Sequence, residues 1–268
     1  MVVGLRKLAE IMRMLKVKRQ PKFGHSTLGH TSDHSTVHLF LASNIFRLRT
    51  MPCVRHEINT PYEKATFGMG CFWASDSLYG ATPGVLRTKV GYSGGTKVDP
   101  KYRDLGDHTE VIEIHYDPKI VSYEDLLELF WNNHEYGLTT IIKRQYMSLI
   151  LYHNEDQLFS AEKSLKQQAD RLNQKLMTEI ASAGKFYPAE DYHQKYRLQR
   201  HPWLCEMLEM TSSLLQTSHI ASRLNGYLVG LGNEQTIEKE LEQFGFNEKM
   251  IDYVRKEWKT NEGGSLYC

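Results

Sequence analysis

One cysteine of this chain stands in a setting suited to nucleophilic chemistry. Cys71 follows an apolar run that ends in glycines, and Phe72 and Trp73 come directly after it. The pattern predicts a buried strand that passes into a helix, which places the thiol at the positive end of the helix dipole. That position lowers a thiol pKa and favours the thiolate. These residues alone support two interpretations equally: a nucleophile beside an aromatic pocket, or a buried cysteine in a glycine-rich turn.

A carboxyl group and two phenols elsewhere in the chain could complete such a site. Glu110 lies at the edge of a predicted strand, and Tyr102 and Tyr146 each lie where a loop meets a strand. A thiolate with these groups nearby suits attack on a sulfoxide, whose oxygen then needs a proton. The attack leaves the cysteine as a sulfenic acid, which a second thiol converts to a disulfide. Cys268, on a glycine-containing tail, is suited to that second step.

The elements that must hold these residues alternate in type along the chain. Strands are predicted over 64–69, 85–92, 109–116 and 146–152, and helices over 72–79, from Ser122 onward and over 155–177. An edge strand over 185–187 and helices from 190 to about 246 follow. The order predicts an α+β two-layer sandwich of the split βαβ, ferredoxin-like kind, with a mostly antiparallel mixed sheet and helices on one face. Glu110 and Glu113 alternate with apolar residues, so their strand is expected to be half-buried.

Three regions of different character divide the chain: a basic extension over 1–56, a catalytic domain over 57–200 and a helical extension over 201–268 that ends in a flexible tail. The first region holds ten Lys or Arg but two Asp or Glu and begins with a basic amphipathic pattern, which is typical of a mitochondrial transit segment. A disordered basic tail and a translation start at Met51 compete with that interpretation. We therefore expect a cytoplasmic protein, with mitochondrial targeting by residues 1–50 as the open alternative.

The composition excludes several classes of function. Of the 268 residues, 41% are hydrophobic and 24% charged, as in an ordinary globular protein. The region after the basic extension is mildly acidic, which argues against nucleic-acid binding. No apolar run approaches the roughly 20 residues of a membrane span. The four cysteines form no CxxC pair, which argues against a disulfide framework and against structural zinc.

Three histidines have the spacing of metal ligands but lack supporting residues. His30, His34 and His38 are four residues apart and would share one face of a helix. The residues between them favour strand or coil, and no cysteine or carboxylate cluster surrounds them. We therefore expect no metal site.

Six motifs in a fixed order resemble a known family, the type A peptide methionine sulfoxide reductases. They are Gly70-Cys71-Phe72-Trp73, Gly91-Tyr92-Ser93-Gly94-Gly95 with Tyr102-Arg103, His108-Thr109-Glu110, Phe130-Trp131-Asn132-Asn133-His134, Gln145-Tyr146 and Ala189-Glu190-Asp191-Tyr192-His193-Gln194. The resemblance runs from about residue 65 to residue 193. It is closest to an insect-like subgroup whose chains end in Leu-Tyr-Cys.

The resemblance implies a role for each matching residue. Cys71 matches the nucleophile, Glu110 the proton donor, Tyr102 and Tyr146 the phenols that bind the sulfoxide oxygen, Phe72 and Trp73 the aromatics that hold the substrate methyl group, and Cys268 the resolving cysteine. The implied reaction reduces methionine S-sulfoxide, free or in oxidised proteins, and so repairs oxidative damage. Thioredoxin, or dithiothreitol in vitro, would be the reductant, with no bound cofactor, and we expect a monomer. To donate at neutral pH, Glu110 needs a raised pKa, which burial would supply.

Two departures from the family pattern leave alternatives open. Ala74-Ser75-Asp76 stands where the family usually has Gly-Ala-Glu, and Asp76 is expected to keep a negative charge at the helix start. Ile141 stands where the family usually has an aspartate. A catalytically weakened binder of oxidised methionine is one alternative, and another cysteine-nucleophile enzyme, which would need a histidine base, is a second. Cys205 is expected in the core, Cys53 before the folded body, and His193 in a structural role.

Overall fold

The computed structural model describes residues 56–135 and 143–264. The expectations for the basic extension, for the three spaced histidines and for Cys53, Ile141 and Cys268 lie outside these residues.

The described residues form six strands and nine α-helices. The strands are β1 (Glu63–Met69), β2 (Val85–Ser93), β3 (Thr109–Tyr116), β4 (Ser148–Tyr152), β5 (Glu179–Ser182) and β6 (Tyr187–Pro188). The helices are α1 (Phe72–Gly80), α2 (Tyr123–Asn132), α3 (Glu155–Leu172), α4 (Tyr196–Gln199), α5 (Pro202–Met207), α6 (Ser212–Thr217), α7 (His219–Tyr227), α8 (Glu234–Gln243) and α9 (Glu248–Asn261). Short 3₁₀ turns occupy Arg144–Tyr146 and Asp191–His193.

A single mixed sheet organises the first part of the fold. Its strand order is β5-β4-β1-β3-β2-β6. Strand β1 pairs antiparallel with β3 and β4, β2 pairs antiparallel with β3 and β6, and β4 and β5 run parallel. Strand β3 therefore lies between β1 and β2, which α1 connects. The predicted α+β class and the mostly antiparallel mixed sheet are confirmed.

One face of the sheet carries the main core. Apolar side chains of the central strands, such as Phe67 and Ile112, pack against the apolar side of α2, including Leu126 and Phe130. Helix α2 begins with a capping box: the Asp125 amide donates to Ser122 Oγ (3.1 Å), and the Ser122 amide donates to the Asp125 carboxylate (2.9 Å). Helices α1, α2 and α3 all contribute to this cluster.

Several predicted bounds differ from the structure, and one strand was not predicted. Helix α3 ends at Leu172 instead of near residue 177, because Asn173 adopts a left-handed conformation (φ 51°) that ends a helix. The short strand β5 after it was not predicted. Tyr146 belongs to the 3₁₀ turn before β4, so that strand begins at Ser148.

Strand β3 is buried on both faces and is not half-buried as expected. Glu110 is 1% exposed and Glu113 is 4% exposed. Alternation of charged and apolar residues usually indicates one solvated face. Here each carboxyl group has its own hydrogen-bond donors: Glu110 lies against the start of α1, and Glu113 lies between Lys89 and His115.

The later helices form a second core that rests on α1. Its buried residues include Leu204, Leu224, Leu241, Val254 and Trp258. None of the helices among the described residues is long and apolar enough to cross a bilayer.

Helices α1 and α7 approach each other closely through two glycines. A β-carbon at Gly80 would lie 2.3 Å from the Ser222 carbonyl oxygen, and one at Gly226 would lie 2.5 Å from the Ser77 carbonyl oxygen. Arg223 of α7 donates to the carbonyl oxygen of Gly80 (3.0 Å) at the end of α1. The helix that begins after Cys71 is therefore anchored at its other end by α7.

Candidate active site

Cys71 caps the amino end of α1, as the sequence predicts. Strand β1 ends just before it, and Gly70 (φ 80°) makes the left-handed turn from strand to helix. Cys71 itself has extended backbone angles, and its carbonyl oxygen accepts a hydrogen bond from the Ala74 amide at 3.3 Å. Its sulfur is disulfide-bonded in this structure, whereas Cys205 is a free thiol. The sulfur thus lies at the helix end where the dipole stabilises a thiolate.

Glu110 is buried beside this helix end. One carboxyl oxygen accepts a hydrogen bond from the Phe72 amide (3.2 Å), and the other accepts one from the Gln145 side chain (2.7 Å). Burial raises the pKa of Glu110 to about 7, although both hydrogen bonds oppose the shift. A carboxyl group with this pKa carries a proton that it can donate near neutral pH.

The two predicted phenols meet beside Glu110. The Tyr146 side chain lies near Tyr102 and Glu110. Burial, the neighbouring Tyr102 and the nearby charge of Glu110 raise the pKa of Tyr146 to about 12, so its hydroxyl stays protonated. The Tyr102 amide donates to the Glu190 carboxylate at 3.1 Å, and Tyr92 donates its hydroxyl to the same group at 2.7 Å.

Aromatic rings cluster next to these groups. The His193 ring centroid lies 5.1 Å from that of Phe72, 5.6 Å from that of Trp73 and 4.6 Å from that of Tyr102. Trp73 also stacks on Tyr196, with centroids 3.9 Å apart and ring planes 6° from parallel. Four rings and an imidazole therefore form one cluster, and we call the part of the site that they border the aromatic pocket.

His193 belongs to this pocket, although the sequence suggested a structural role alone. Trp73 Nε1 donates to His193 Nδ1 at 3.1 Å, and burial lowers the His193 pKa. A neutral imidazole that accepts at Nδ1 carries its proton at Nε2. That buried Nε2 has no hydrogen-bond partner among the described residues, so the pocket contains one unused donor.

The structure brings six of the seven predicted site residues together, and the seventh, Cys268, lies outside the described residues. The six are Cys71, Phe72, Trp73, Tyr102, Glu110 and Tyr146. Sequence reasoning missed Gln145, Glu190, His193 and Tyr196 as partners in the site. Three of them stand within motifs quoted above, so motif membership was the available signal.

The structure also shows where Cys205 and Asp76 lie. Cys205 packs against the second core as expected, and burial raises its pKa. Asp76 differs from expectation, because it is the fifth residue of α1, beyond the free amides of the first turn. Its side chain is buried against Thr88 and Lys195. Within the described ranges, no group of three or more His, Cys, Asp or Glu side chains could hold a metal ion.

Comparison with known proteins gives the family. Residues 63–223 match the family model of peptide methionine sulfoxide reductase. A Drosophila melanogaster protein named peptide methionine sulfoxide reductase is 55% identical over 80% of this chain and 87% of its own length. The chain belongs to the peptide methionine sulfoxide reductase family. It is thus an oxidoreductase of the type A class, which reduces methionine sulfoxide with thiols.

Shorter relatives match about half of this chain. Methionine sulfoxide reductase MsrA of Methanococcus maripaludis (strain C5) is 43% identical over 53% of this chain and 96% of its own length. A solved structure, methionine sulfoxide reductase A of Corynebacterium diphtheriae, is 32% identical, with a TM-score of 0.49 over 54% of this chain and 77% of its own. The family-model match ends within α7.

Proposed function

We propose that this chain reduces methionine S-sulfoxide, free or in oxidised proteins, to methionine by way of a sulfenic acid at Cys71. The buried carboxyl group of Glu110 is the observation that carries this proposal. It is bound to the Phe72 amide, one residue from the nucleophile, and has a pKa of about 7. This arrangement sets a proton donor beside a nucleophile, as sulfoxide reduction requires.

The first step transfers oxygen from sulfoxide to cysteine. The Cys71 thiolate attacks the sulfoxide sulfur while the oxygen takes a proton from Glu110. The bond between the two sulfur atoms then breaks as the hydroxyl passes from the substrate sulfur to Cys71, which becomes a sulfenic acid, and the substrate leaves as the thioether. Tyr102 and Tyr146 donate hydrogen bonds to the oxygen as it gains negative charge. The sulfur of Cys71 is oxidised by two electrons and the substrate sulfur is reduced by two.

Phe72 and Trp73 hold the substrate methyl group in the aromatic pocket. An S-methyl group is small and apolar, and aromatic rings attract such groups and sulfur. A pocket with one closed apolar side and hydrogen-bond donors on another distinguishes the two epimers of a sulfoxide, because only one epimer fits both at once.

The second step regenerates the enzyme through a disulfide. A second thiol attacks the sulfenic acid and releases water, and we assign this role to Cys268. The disulfide bond of Cys71 and the free thiol of Cys205 support a resolving cysteine other than Cys205. Thioredoxin, or dithiothreitol in vitro, then reduces the disulfide by supplying two electrons and two protons.

Further assignments follow from the same proposal. We assign the chain to the insect-like subgroup with a Leu-Tyr-Cys tail and its central sheet, in the order β4-β1-β3-β2, to the ferredoxin-like split βαβ fold. We assign residues 1–56 to an extension, 57–200 to the catalytic domain and 201–268 to a helical extension. We further propose that the protein is a monomer located in the cytoplasm. In protein made with residues 1–50, this segment would direct import into mitochondria.

Turnover of purified sulfoxide epimers tests the function. We expect the wild type to convert methionine S-sulfoxide, but not the R epimer, to methionine with dithiothreitol and with thioredoxin. Cys71→Ser should be inactive, and full activity in that variant would contradict the proposal. Binding of the sulfoxide without turnover by the wild type would favour the weakened binder instead.

The resolving role has its own experiment. Cys268→Ser should still form one methionine per enzyme in a single turnover but lose thioredoxin-driven turnover. If it supports thioredoxin-driven turnover as well as the wild type does, another cysteine resolves the sulfenic acid. Cys205→Ser is the matched control and should behave as wild type.

A further inference from the structure

Two separate parts of the chain form the walls of the aromatic pocket. The start of α1 contributes Phe72 and Trp73, and the segment from Glu190 to Tyr196, which we call the wall segment, contributes His193 and Tyr196. About 120 residues separate the two parts in sequence, so the width of the pocket depends on contacts that hold them together. The hydrogen bond from Trp73 to His193 is one such contact, and the Gln194 side chain binds the backbone of Val90 in β2. A buried ion pair adds a further link.

The ion pair joins Asp76 of α1 to Lys195 of the wall segment. Lys195 Nζ lies 3.1 Å from Asp76 Oδ1, and the Lys195 amide donates to Asp76 Oδ2, also at 3.1 Å. The two side chains are 1% and 0% exposed. Because Asp76 binds both the side chain and the backbone of Lys195, it fixes the position and the direction of the wall segment.

Strand β2 completes this buried cluster. Lys195 Nζ donates to the Thr88 carbonyl oxygen at 2.6 Å, and Thr88 Oγ1 donates to Asp76 Oδ1 at 2.6 Å. Every charge in the cluster thus has a partner, as burial requires. Lys195 has a left-handed backbone (φ 49°), which side chains with a β-carbon rarely adopt. The contacts with Asp76 hold that conformation in place, directly between His193 and Tyr196.

The reacting groups are held by different contacts. Glu110 is bound by the Phe72 amide and by Gln145, and neither contact involves Lys195. Loss of the ion pair would therefore displace the wall segment while the geometry between Cys71 and Glu110 is retained. The two effects should separate in a kinetic experiment.

We propose that Asp76 and Lys195 are positioning residues that set the width of the aromatic pocket and so the affinity for the sulfoxide side chain. The inference rests on the proposed function, because it assigns the bound side chain to that pocket. The inference assigns a specific role to Asp76, which stands in α1 where the family usually has a glutamate.

Single-turnover kinetics of the full chain tests this assignment. Reduced enzyme without added reductant is mixed with increasing concentrations of methionine S-sulfoxide, and the methionine formed is measured over time. Asp76→Asn and Lys195→Gln should each raise the half-saturating concentration about tenfold or more, because small displacements of a binding wall are costly. The maximal rate should stay within about twofold of wild type, and its dependence on pH, which Glu110 sets, should not move.

The double variant measures the coupling between the two residues. Asp76→Asn with Lys195→Gln leaves a neutral pair of similar size. Its half-saturating concentration should rise by less than the product of the two single effects, because each single variant leaves one buried charge without its partner. Thr88→Val, which removes the hydroxyl that donates to Asp76 and lies 3.3 Å from Ser222 Oγ, should raise it about threefold.

Glu113→Gln is the matched control, because it breaks a buried ion pair of the same sheet away from the pocket. It should leave the half-saturating concentration unchanged. If the wild type forms methionine but Asp76→Asn and Lys195→Gln bind as it does, or change no more than the control, the inference is wrong. If Asp76→Asn or Lys195→Gln fails to fold, Thr88→Val replaces it in the test. An unchanged half-saturating concentration in Thr88→Val would then show that the inference is wrong. A wild type that forms no methionine contradicts the proposed function itself.

Discussion

Two glutamates of strand β3, three residues apart, have opposite electrostatic environments. Glu110 points to the face that meets α1, and both of its hydrogen-bond donors are neutral groups. Glu113 points to the opposite face, where Lys89 Nζ lies at 3.0 Å and His115 Nε2 at 2.8 Å. Both carboxyl groups are buried, yet the pKa of Glu110 rises to about 7 and that of Glu113 falls to about 2.

The difference teaches that burial alone does not decide the protonation of a carboxyl group. Burial raises the pKa of both residues, but the hydrogen bond from His115 and the charge of Lys89 overcome it at Glu113. At Glu110, two neutral donors offset burial in part only. One strand therefore carries a carboxyl group with a pKa near neutral on one face and a carboxylate that stays ionised at neutral pH on the other.

The largest expected effect is on the rate of reduction. Glu110→Gln keeps the shape of the side chain but removes the acidic proton, so the maximal single-turnover rate should fall about a hundredfold or more. Glu113→Gln should react at the wild-type rate. Rates that fall equally in both variants would show that the carboxyl groups share a structural role.

Stability should respond to pH in opposite directions at the two sites. The pKa of Glu110 rises from an ordinary value of 4.5 to about 7 on folding, so its contribution is complete below pH 4.5 and is lost as pH rises to 7. The loss is of the order of 3 kcal/mol. Glu110→Gln should therefore gain stability relative to the wild type between these values, as urea unfolding at several pH values would measure.

The contribution of Glu113 to stability should change with pH in the opposite direction. Its folded pKa is about 2, so its stabilising contribution is present above pH 4.5 and is lost as pH falls towards 2. The stability of the wild type relative to Glu113→Gln should shrink in that interval. A difference that does not change with pH at either site would remove the basis of the comparison.

A smaller effect concerns the pH dependence of the reaction. The rate should decline as pH rises through about 7, because Glu110 loses the proton that it donates. Gln145 lowers the pKa of Glu110 through its hydrogen bond. Gln145→Leu should therefore move the midpoint of the decline upward by about half a unit to one unit. A midpoint that moves downward would mean that Gln145 favours the protonated form.

Helices and strands whose ends are marked by glycine or proline could be predicted from the sequence. The bounds of β3 match the prediction, and those of β1, α1 and β2 differ from it by one residue at most, because glycines and prolines mark their ends. The end of α3 could not be predicted from the hydrophobic pattern, because that pattern does not show that Asn173 adopts a left-handed conformation.

The candidate site was predictable as a set of motifs but not as a network. Spacing cannot reveal that Glu113 is buried, because its cationic partners come from neighbouring strands. Nor can it reveal that Asp76 faces Lys195, which is 119 residues away in sequence. In both cases the decisive contact is made by tertiary structure.

The close crossing of α1 and α7 has a consequence for how the protein unfolds. Gly226 lets α7 lie directly against the backbone of α1, and Arg223 holds the carboxyl end of α1 while Glu240 of α8 binds its guanidinium at 2.8 Å. Unfolding of the later helices would expose the contact between α1 and α7 and release the helix that begins after Cys71. Sheet and helices should therefore melt in one calorimetric transition, and loss of the helices should inactivate the thiol at the same temperature.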